Sequence, residues 1–168
     1  RKQWNRKHRN LLKVVGEIIA GAIQRERATA ALSHQLVLEQ LIAEISTRFI
    51  NVPILQLEEE ISEAIMRIGK FTGVDRSYVF RISADGRHMN NTHEWCAEGI
   101  DSHVARLQGL QVDEFGYSLK RLSKGEVFHV PDVSALPSEA RHERIEFESE
   151  GIRTLVNVPI MARQNIIG

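Results

Sequence analysis

The residues of this 168-residue chain best equipped for chemistry stand close together: His88, His93, Glu94 and Cys96. Imidazole and thiolate are good zinc ligands, so the run invites a metal reading. Strand alternation weakens it, because His93 and Cys96 lie an odd number of positions apart and would face opposite sides of a sheet. An ordinary strand, with polar residues outward and Trp95 packed inward, accounts for the same residues, and no metal site is assigned. Cys96 is the only cysteine. It could act as a redox or attachment thiol, but no basic sequence neighbour evidently favours its thiolate, and a buried, inert thiol is expected. With no second cysteine there is neither an internal disulfide nor a resolving thiol, which points to a reducing compartment, the cytoplasm.

Phosphate chemistry lacks its loop: Gly109, Gly116 and Gly125 have neither the spacing nor the following Lys-Ser or Lys-Thr of a phosphate cradle. No catalytic residue is assigned, and this chain is not expected to be an enzyme. For a generic small-molecule pocket the candidates are Tyr78, Trp95, Phe115, Tyr117, His129, His142, Arg153 and Asn157, which can combine an apolar wall with a few convergent polar groups. Arg153, on an apolar strand, would either snorkel to the surface or pair with an anion such as Asp113, Glu114 or a ligand carboxylate.

These residues need positioning elements, and the sequence supplies a clear order of them. From Trp4 to about Phe49 there is no proline, and Gly16 and Gly21 sit among good helix formers, so one long helix or two collinear ones is expected. Leu11, Val15, Ile18 and Ala22 follow the four-three-four spacing of a two-helix seam. Arg25 and Thr29 break it, and Leu32 and Leu36 resume it. Leu38, Leu41, Ile45 and Phe49 continue on a shifted stripe, as after a coiled-coil stutter. Such a helix needs a partner, and a homodimer through these residues is expected.

Pro53 closes that helix. Leu57, Ile61, Ala64, Ile65, Ile68 and Phe71 mark a second, amphipathic helix ending near Gly73. Ser77 to Ile82 reads as a strand, and Ser83-Ala84-Asp85-Gly86 as the turn of a hairpin into a strand from His88 to Ala97. A polar stretch with weak helical character runs from Gly99 to Leu110. A short helix near Ser118 to Ser123 and a strand from Glu126 to Val130 follow, ended by Pro131. Ser138 is a candidate cap for the next helix, with Arg141, His142 and Glu143 on its exposed face and Gly151 as its stop. Ile152 to Ile160, nearly all apolar, reads as a central strand. Arg163-Gln164-Asn165 would then turn into a last strand that the sequence leaves unfinished. This order implies an α+β domain with helices packed on an antiparallel sheet.

Composition fits an ordinary soluble protein, with 22 basic and 22 acidic residues and 42% hydrophobic content. Within residues 1–30 the basic residues Arg1, Lys2, Arg6, Lys7, Arg9, Lys13, Arg25 and Arg27 outweigh Glu17 and Glu26. Apolar residues interrupt the basic run and base-stacking aromatics are lacking, so a solvated helix face is expected rather than nucleic-acid binding.

Across about residues 33–168 the chain resembles the GAF domain family. The resemblance is carried by the helix pair before Gly73, Val74-Asp75-Arg76-Ser77-Tyr78-Val79-Phe80, His93 through Ile100, Val130-Pro131-Asp132-Val133 and Gly151 through Ile160. It implies a GAF-like antiparallel sheet preceded by a long N-terminal helix, and a ligand cavity between the sheet and residues 100–150. Residues 1–32 look like the closing helix of a preceding GAF domain, and residues 33–168 like a sensor domain truncated in its last strand. The implied function is small-ligand sensing in a bacterial signal-transduction protein of the two-component or cyclic-di-GMP type, such as a histidine kinase, response regulator or diguanylate cyclase. The signal would pass through dimerising helices to an output domain of the same parent chain. Some family members hold a bilin through a Cys-His pair, but the matching place reads Ala140-Arg141-His142. Covalent bilin attachment there is not expected, while His142 leaves non-covalent chromophores open and the cofactor unknown. A ligand-free dimerisation and spacer domain is the alternative, with thiol redox chemistry at Cys96 behind it.

Overall fold

The computed structural model describes residues 5–168. The chain divides into two compact units at Pro53 and Ile54.

The first unit is one helix, α1 (Arg6–Asn51, 46 residues), uninterrupted at Gly16, Gly21 or the 32/33 junction. Asn5 caps it, its side chain accepting a hydrogen bond from the His8 N–H at 2.9 Å, which satisfies one of the amides that a helix start leaves unpaired. None of its residues is buried. Leu11, Ile18, Leu32 and Leu36 of the expected seam stand exposed. Trp4 lies outside the described residues.

The second unit begins with a 3-10 turn (Ile54–Gln56) and helix α2 (Leu57–Thr72). Gly73 ends α2 in the left-handed region (φ 68°), its N–H donating to the Gly69 carbonyl, as a glycine C-cap does. Strands β1 (Arg76–Ile82) and β2 (His88–Cys96) pair antiparallel, and the short β3 (Leu110–Gln111) adds to the far edge of β2. The β1–β2 turn is built as the sequence implies: Ser83 Oγ and the Arg87 N–H donate to the Asp85 carboxylate, and Gly86 takes a positive φ.

The register of this pair decides which side chains can meet. Val79 opposes His93 but Phe80 opposes Asn91, so Thr92 is an extra residue, a β-bulge. Cross-strand partners share a face. Tyr78, Phe80, Ile82, Met89, Asn91 and Glu94 therefore stand on one face, and Ser77, Val79, Arg81, Asn90, His93 and Trp95 on the other. Helix α2 covers the second face. Gly69 lies so close to the Trp95 indole that a Cβ there would overlap it. Glu58 reaches Arg81 Nη2 at 2.9 Å and His93 Nε2 at 2.9 Å. The first face carries Met89 into the main core, together with Phe115, Leu122, Phe128, Val130, Phe147 and Leu155.

Beyond β3, a 3-10 turn (Val112–Phe115) leads into α3 (Gly116–Leu122), then β4 (Phe128–Val130), 3-10 turns at Val133–Ala135 and Ser138–Ala140, and α4 (Arg141–Ser149). Strand β5 (Leu155–Asn157) pairs antiparallel with β4, and β6 (Met161–Ala162) with β7 (Asn165–Ile166). The Ile82 N–H donates to the Ile167 carbonyl at 2.9 Å, bringing the last hairpin to the edge of β1.

Several sequence expectations are corrected here. Residues 99–110 hold turns rather than a helix. Ser138 does not cap α4: it sits in the preceding 3-10 turn with its hydroxyl turned to Glu139, and Ala140 occupies the cap position. Glu143 is buried, not exposed, because it falls three residues after buried Ala140 and four before buried Phe147, on one helical face. The Ile152–Ile160 strand shrinks to three residues and is not central. Among the described residues β5 pairs with β4 alone, and Val156 and Val158 are exposed. Pro159 offers no N–H to a ladder.

Candidate functional site

A cleft of about 570 Å³ opens between residues 113–117, α3 and the start of α4. Its walls carry Tyr117 and His142, the cations Lys120, Arg121 and Lys124, and the carboxylates of Asp113, Glu114, Glu126, Glu139 and Glu143. Phe115 meets His142 edge-on at 5.8 Å, Tyr117 meets Phe128 at 5.9 Å, and His142 Nε2 lies 3.8 Å from a Glu114 carboxylate oxygen. The cleft thus joins aromatic wall and mixed charge, a lining suited to a small polar molecule.

Glu143 fixes the shape of this cleft. Its Oε1 accepts hydrogen bonds from the Ser118 N–H at 3.0 Å and the Ser118 hydroxyl at 3.1 Å. A carboxylate from α4 thereby caps the first turn of α3, where helix amides lack partners and the helix dipole favours negative charge. Its other oxygen, Oε2, is buried without a hydrogen-bond partner among the described residues. Burial pushes the Glu143 carboxyl above its ordinary value, against the opposing pull of the Ser118 hydrogen bonds.

A second polar group gathers at the end of the sheet. Glu94 Oε2 accepts from the Ser102 hydroxyl, from the His103 N–H at 2.8 Å and from the Val104 N–H at 3.0 Å, pinning the 102–104 loop to β2. The Arg76 guanidinium donates to the Asp101 carbonyl at 2.9 Å and to the Glu150 carbonyl at 3.0 Å. Glu150 itself is buried, 3.6 Å from both Arg106 Nη2 and His103 Nδ1. Desolvation raises its carboxyl, with Arg106 pulling the other way. Burial, and then the Glu150 carboxylate, push the Tyr78 hydroxyl up to about 12. Burial, followed by the Glu94 carboxylate, also pushes the Cys96 thiol up, so the thiolate is disfavoured despite the Arg76 guanidinium nearby.

Between these groups, Asn91 is only 1% exposed and neither its Oδ1 nor its Nδ2 finds a partner among the described residues. An orphaned buried polar group costs about 1–3 kcal/mol.

The structure brings Phe115, Tyr117 and His142 together, and leaves the other sequence candidates apart from them. Tyr78 stands on the core face of β1, edge-on to Phe80, while Trp95 is on the α2 face against Gly69. His129 is exposed on β4, and Asn157 pairs with Phe128 at the end of β5. Arg153 precedes β5 rather than lying on it, is exposed, and makes no ion pair with Asp113 or Glu114. Among the described residues no three His, Cys, Asp or Glu side chains converge as a metal site would require. His93 instead places Nε2 against Glu58 and Nδ1 2.9 Å from the Thr92 hydroxyl. Sequence reasoning does not single out Asn91, weighs Glu94 only beside a possible metal site, and puts Glu143 on an exposed helix face. Only Glu143 had a signal, its helical spacing from Ala140 and Phe147.

The profile of the GAF domain family matches residues 56–168. Among solved structures, the fold is similar to the phycocyanobilin-bound GAF domain of a cyanobacterial phytochrome (19% identity, 77% of this chain and 75% of that one, TM-score 0.62). It is similar also to residues 122 to 287 of a methyl-accepting chemotaxis protein (17% identity, 76% and 78%, TM-score 0.56). A third is the blue-light-absorbing form of the Thermosynechococcus elongatus PixJ GAF domain (18% identity, 70% of each, TM-score 0.53). No curated protein sequence matches the chain.

Proposed function

This chain belongs to the GAF domain family, and from that premise we propose that it is a regulatory module that senses a small ligand within a signal-transduction protein. GAF domains are sensory rather than catalytic. The observation that carries the reading is the cleft between α3 and α4, where Tyr117 and His142 join three cations and several carboxylates. A ligand moves the equilibrium between two shapes only by its differential affinity for them. Glu143, bridging α4 to α3, is placed to couple occupancy of the cleft to the packing of both helices.

The finer reading is a cytoplasmic domain of a two-component or cyclic-di-GMP protein, paired with a second copy through Leu11, Val15, Ile18, Ala22, Leu32 and Leu36 and followed by an output domain. It is supported by the wholly exposed apolar seam of α1. No helix among the described residues is long and apolar enough to cross a membrane. Bilin-bound GAF domains among the similar structures keep a tetrapyrrole among the candidate ligands. The missing cysteine at residues 140–142 argues only against a thioether at that place. No cysteine lines the cleft, so a bilin there would be held without a covalent bond.

A ligand-dependent thermal shift tests the sensor reading. A compound present at about 100 times its dissociation constant and bound only by the folded state stabilises by about 2.7 kcal/mol. A broad library of metabolites and tetrapyrroles that never raises the melting temperature would favour the alternative, a ligand-free dimerisation and spacer domain, which the exposed seam of α1 also supports.

A further inference from the structure

Asn91 is the least explained side chain of the sensor unit. It lies on the core face of β2, opposite Phe80 and beside buried Met89, and is only 1% exposed. A carboxamide brings two N–H donors and a two-lone-pair acceptor, yet neither Nδ2 nor Oδ1 has a partner among the described residues or is accessible to water. A leucine has the same number of side-chain heavy atoms in the same branched arrangement and carries no polar group to satisfy. The main chain around it is fully used: its N–H donates to the Leu107 carbonyl at 2.8 Å and its carbonyl accepts from Gln108 Nε2 at 2.8 Å. The orphaned amide is thus not needed for fixing the strand.

Bound to the Asn91 main chain is a segment without regular structure. Leu107, 1% exposed, belongs to a stretch held to β2 by the two bonds above, by the Gly109 N–H to Asn90 Oδ1 and by the Glu94 carboxylate on residues 102–104. Each tie is an individual hydrogen bond, not a continuous ladder, so the segment can lift locally while the sheet stays intact.

We propose that Asn91 is a ligand-recognising side chain, whose amide pairs with a neutral group presenting an N–H beside a C=O, as in a lactam or carboxamide, admitted beneath the 101–109 segment. This inference rests on the sensor reading for there being a ligand, and adds to it a second point of recognition, since Asn91 is not among the residues that line the cleft between α3 and α4. Unpaired polar groups retained in a core at the expense of stability are the expected mark of a site whose partner arrives from outside.

The test uses 2-pyrrolidinone, a minimal lactam, against cyclopentanone, which has the same ring and carbonyl but no N–H. In the wild-type chain the lactam should shift the Asn91 side-chain NH₂ resonance saturably, and the ketone, which can accept from the amide but cannot donate to it, should do so only weakly. Asn91→Leu, which also identifies that resonance, should abolish the lactam's saturable shifts at the neighbouring backbone amides. Equal responses to lactam and ketone, or an Asn91→Leu chain that folds and keeps the lactam's saturable shifts at the neighbouring backbone amides, would overturn the inference. The lactam-against-ketone comparison needs no variant and decides the matter if Asn91→Leu does not fold. A compound found by the thermal screen and bound equally by Asn91→Leu would sink this inference while leaving the sensor reading in place. If neither the lactam nor any compound of that screen binds, the sensor reading fails together with this inference.

Discussion

Asn91 and Glu94 stand on the same face of β2 although they are three positions apart, because the bulge adds Thr92 to β2 while their cross-strand partners Phe80 and Tyr78 stay two positions apart on β1. The bulge brings the Glu94 carboxylate to the side where residues 102–104 close over the sheet, and sends His93 to Glu58 on the other. Glu94→Ala should remove three acceptor contacts at once, taking the acceptor of the His103 amide and leaving the Val104 amide only the Ser102 hydroxyl at 3.4 Å. A loss of about 1–3 kcal/mol in unfolding free energy is expected, with faster amide exchange at His103 and Val104. Unchanged exchange at those two amides would refute the pinning role.

Gly69 and Trp95 give a sharper packing test. Alanine is the better helix former by about 1 kcal/mol, so propensity alone favours Gly69→Ala. The new Cβ would overlap the Trp95 indole, however, and overpacking a filled site costs about 1–3 kcal/mol. The overlap should win: net destabilisation in chemical denaturation, relieved when Trp95→Leu is added. A stabilised single variant would show that α2 and β2 are not packed this closely.

Much of the element order was legible in the sequence because it rests on local chemistry. Gly73 and Gly86 take the positive φ that their neighbours' patterns imply, Pro53 follows the end of α1, and apolar spacing marks α2. The candidate site was less legible. Phe115, Tyr117 and His142 meet across the 113–143 interval, whereas Trp95 faces α2, because a one-residue bulge resets the faces of β2 and leaves no compositional trace. Glu143 was misread since a charged residue on a short helix ordinarily faces solvent, and its burial depends on a capping partner, Ser118, 25 residues away. Strand β5 was overextended because an apolar run alone does not say where pairing stops.

Glu143 makes the pH dependence of stability predictable in sign. Its carboxyl is raised in the folded state above the ordinary 4.5, with burial as the main cause. The folded state therefore holds the proton more tightly than the unfolded one. This contribution is fully present below the unfolded value and is lost as pH rises through the folded value. Glu143→Gln should remove that loss, so the stability difference between variant and wild type should move in the variant's favour as pH increases from about 4.5. Parallel stability–pH curves for the two chains would contradict a raised folded carboxyl.

Tyr78 supplies the alkaline counterpart. Its hydroxyl is raised from 10.0 to about 12 in the folded state, so the unfolded chain gives up this proton first and stability falls as pH climbs between those values. Tyr78→Phe should flatten that fall and remove the phenolate absorbance step near 12. Retention of the step in Tyr78→Phe would show that it does not arise from Tyr78.

The proposed dimer through α1 is tested by charge. Leu11 and Ile18 are each 63% exposed on a helix with no buried residue, and the seam they belong to is spaced for a facing helix. A lone helix gains nothing from such a stripe, whereas burying each leucine or isoleucine against a partner contributes about 1.5–3 kcal/mol. Leu11→Lys with Ile18→Lys would place four lysines in one interface, two from each copy, and should turn a dimer into a monomer in sedimentation equilibrium. The same pair of substitutions should leave the melting of the 54–168 unit unchanged, since that unit forms its own core. A wild-type chain that sediments as a monomer at every concentration would refute the dimer directly, and with it any transmission of a signal between paired α1 helices.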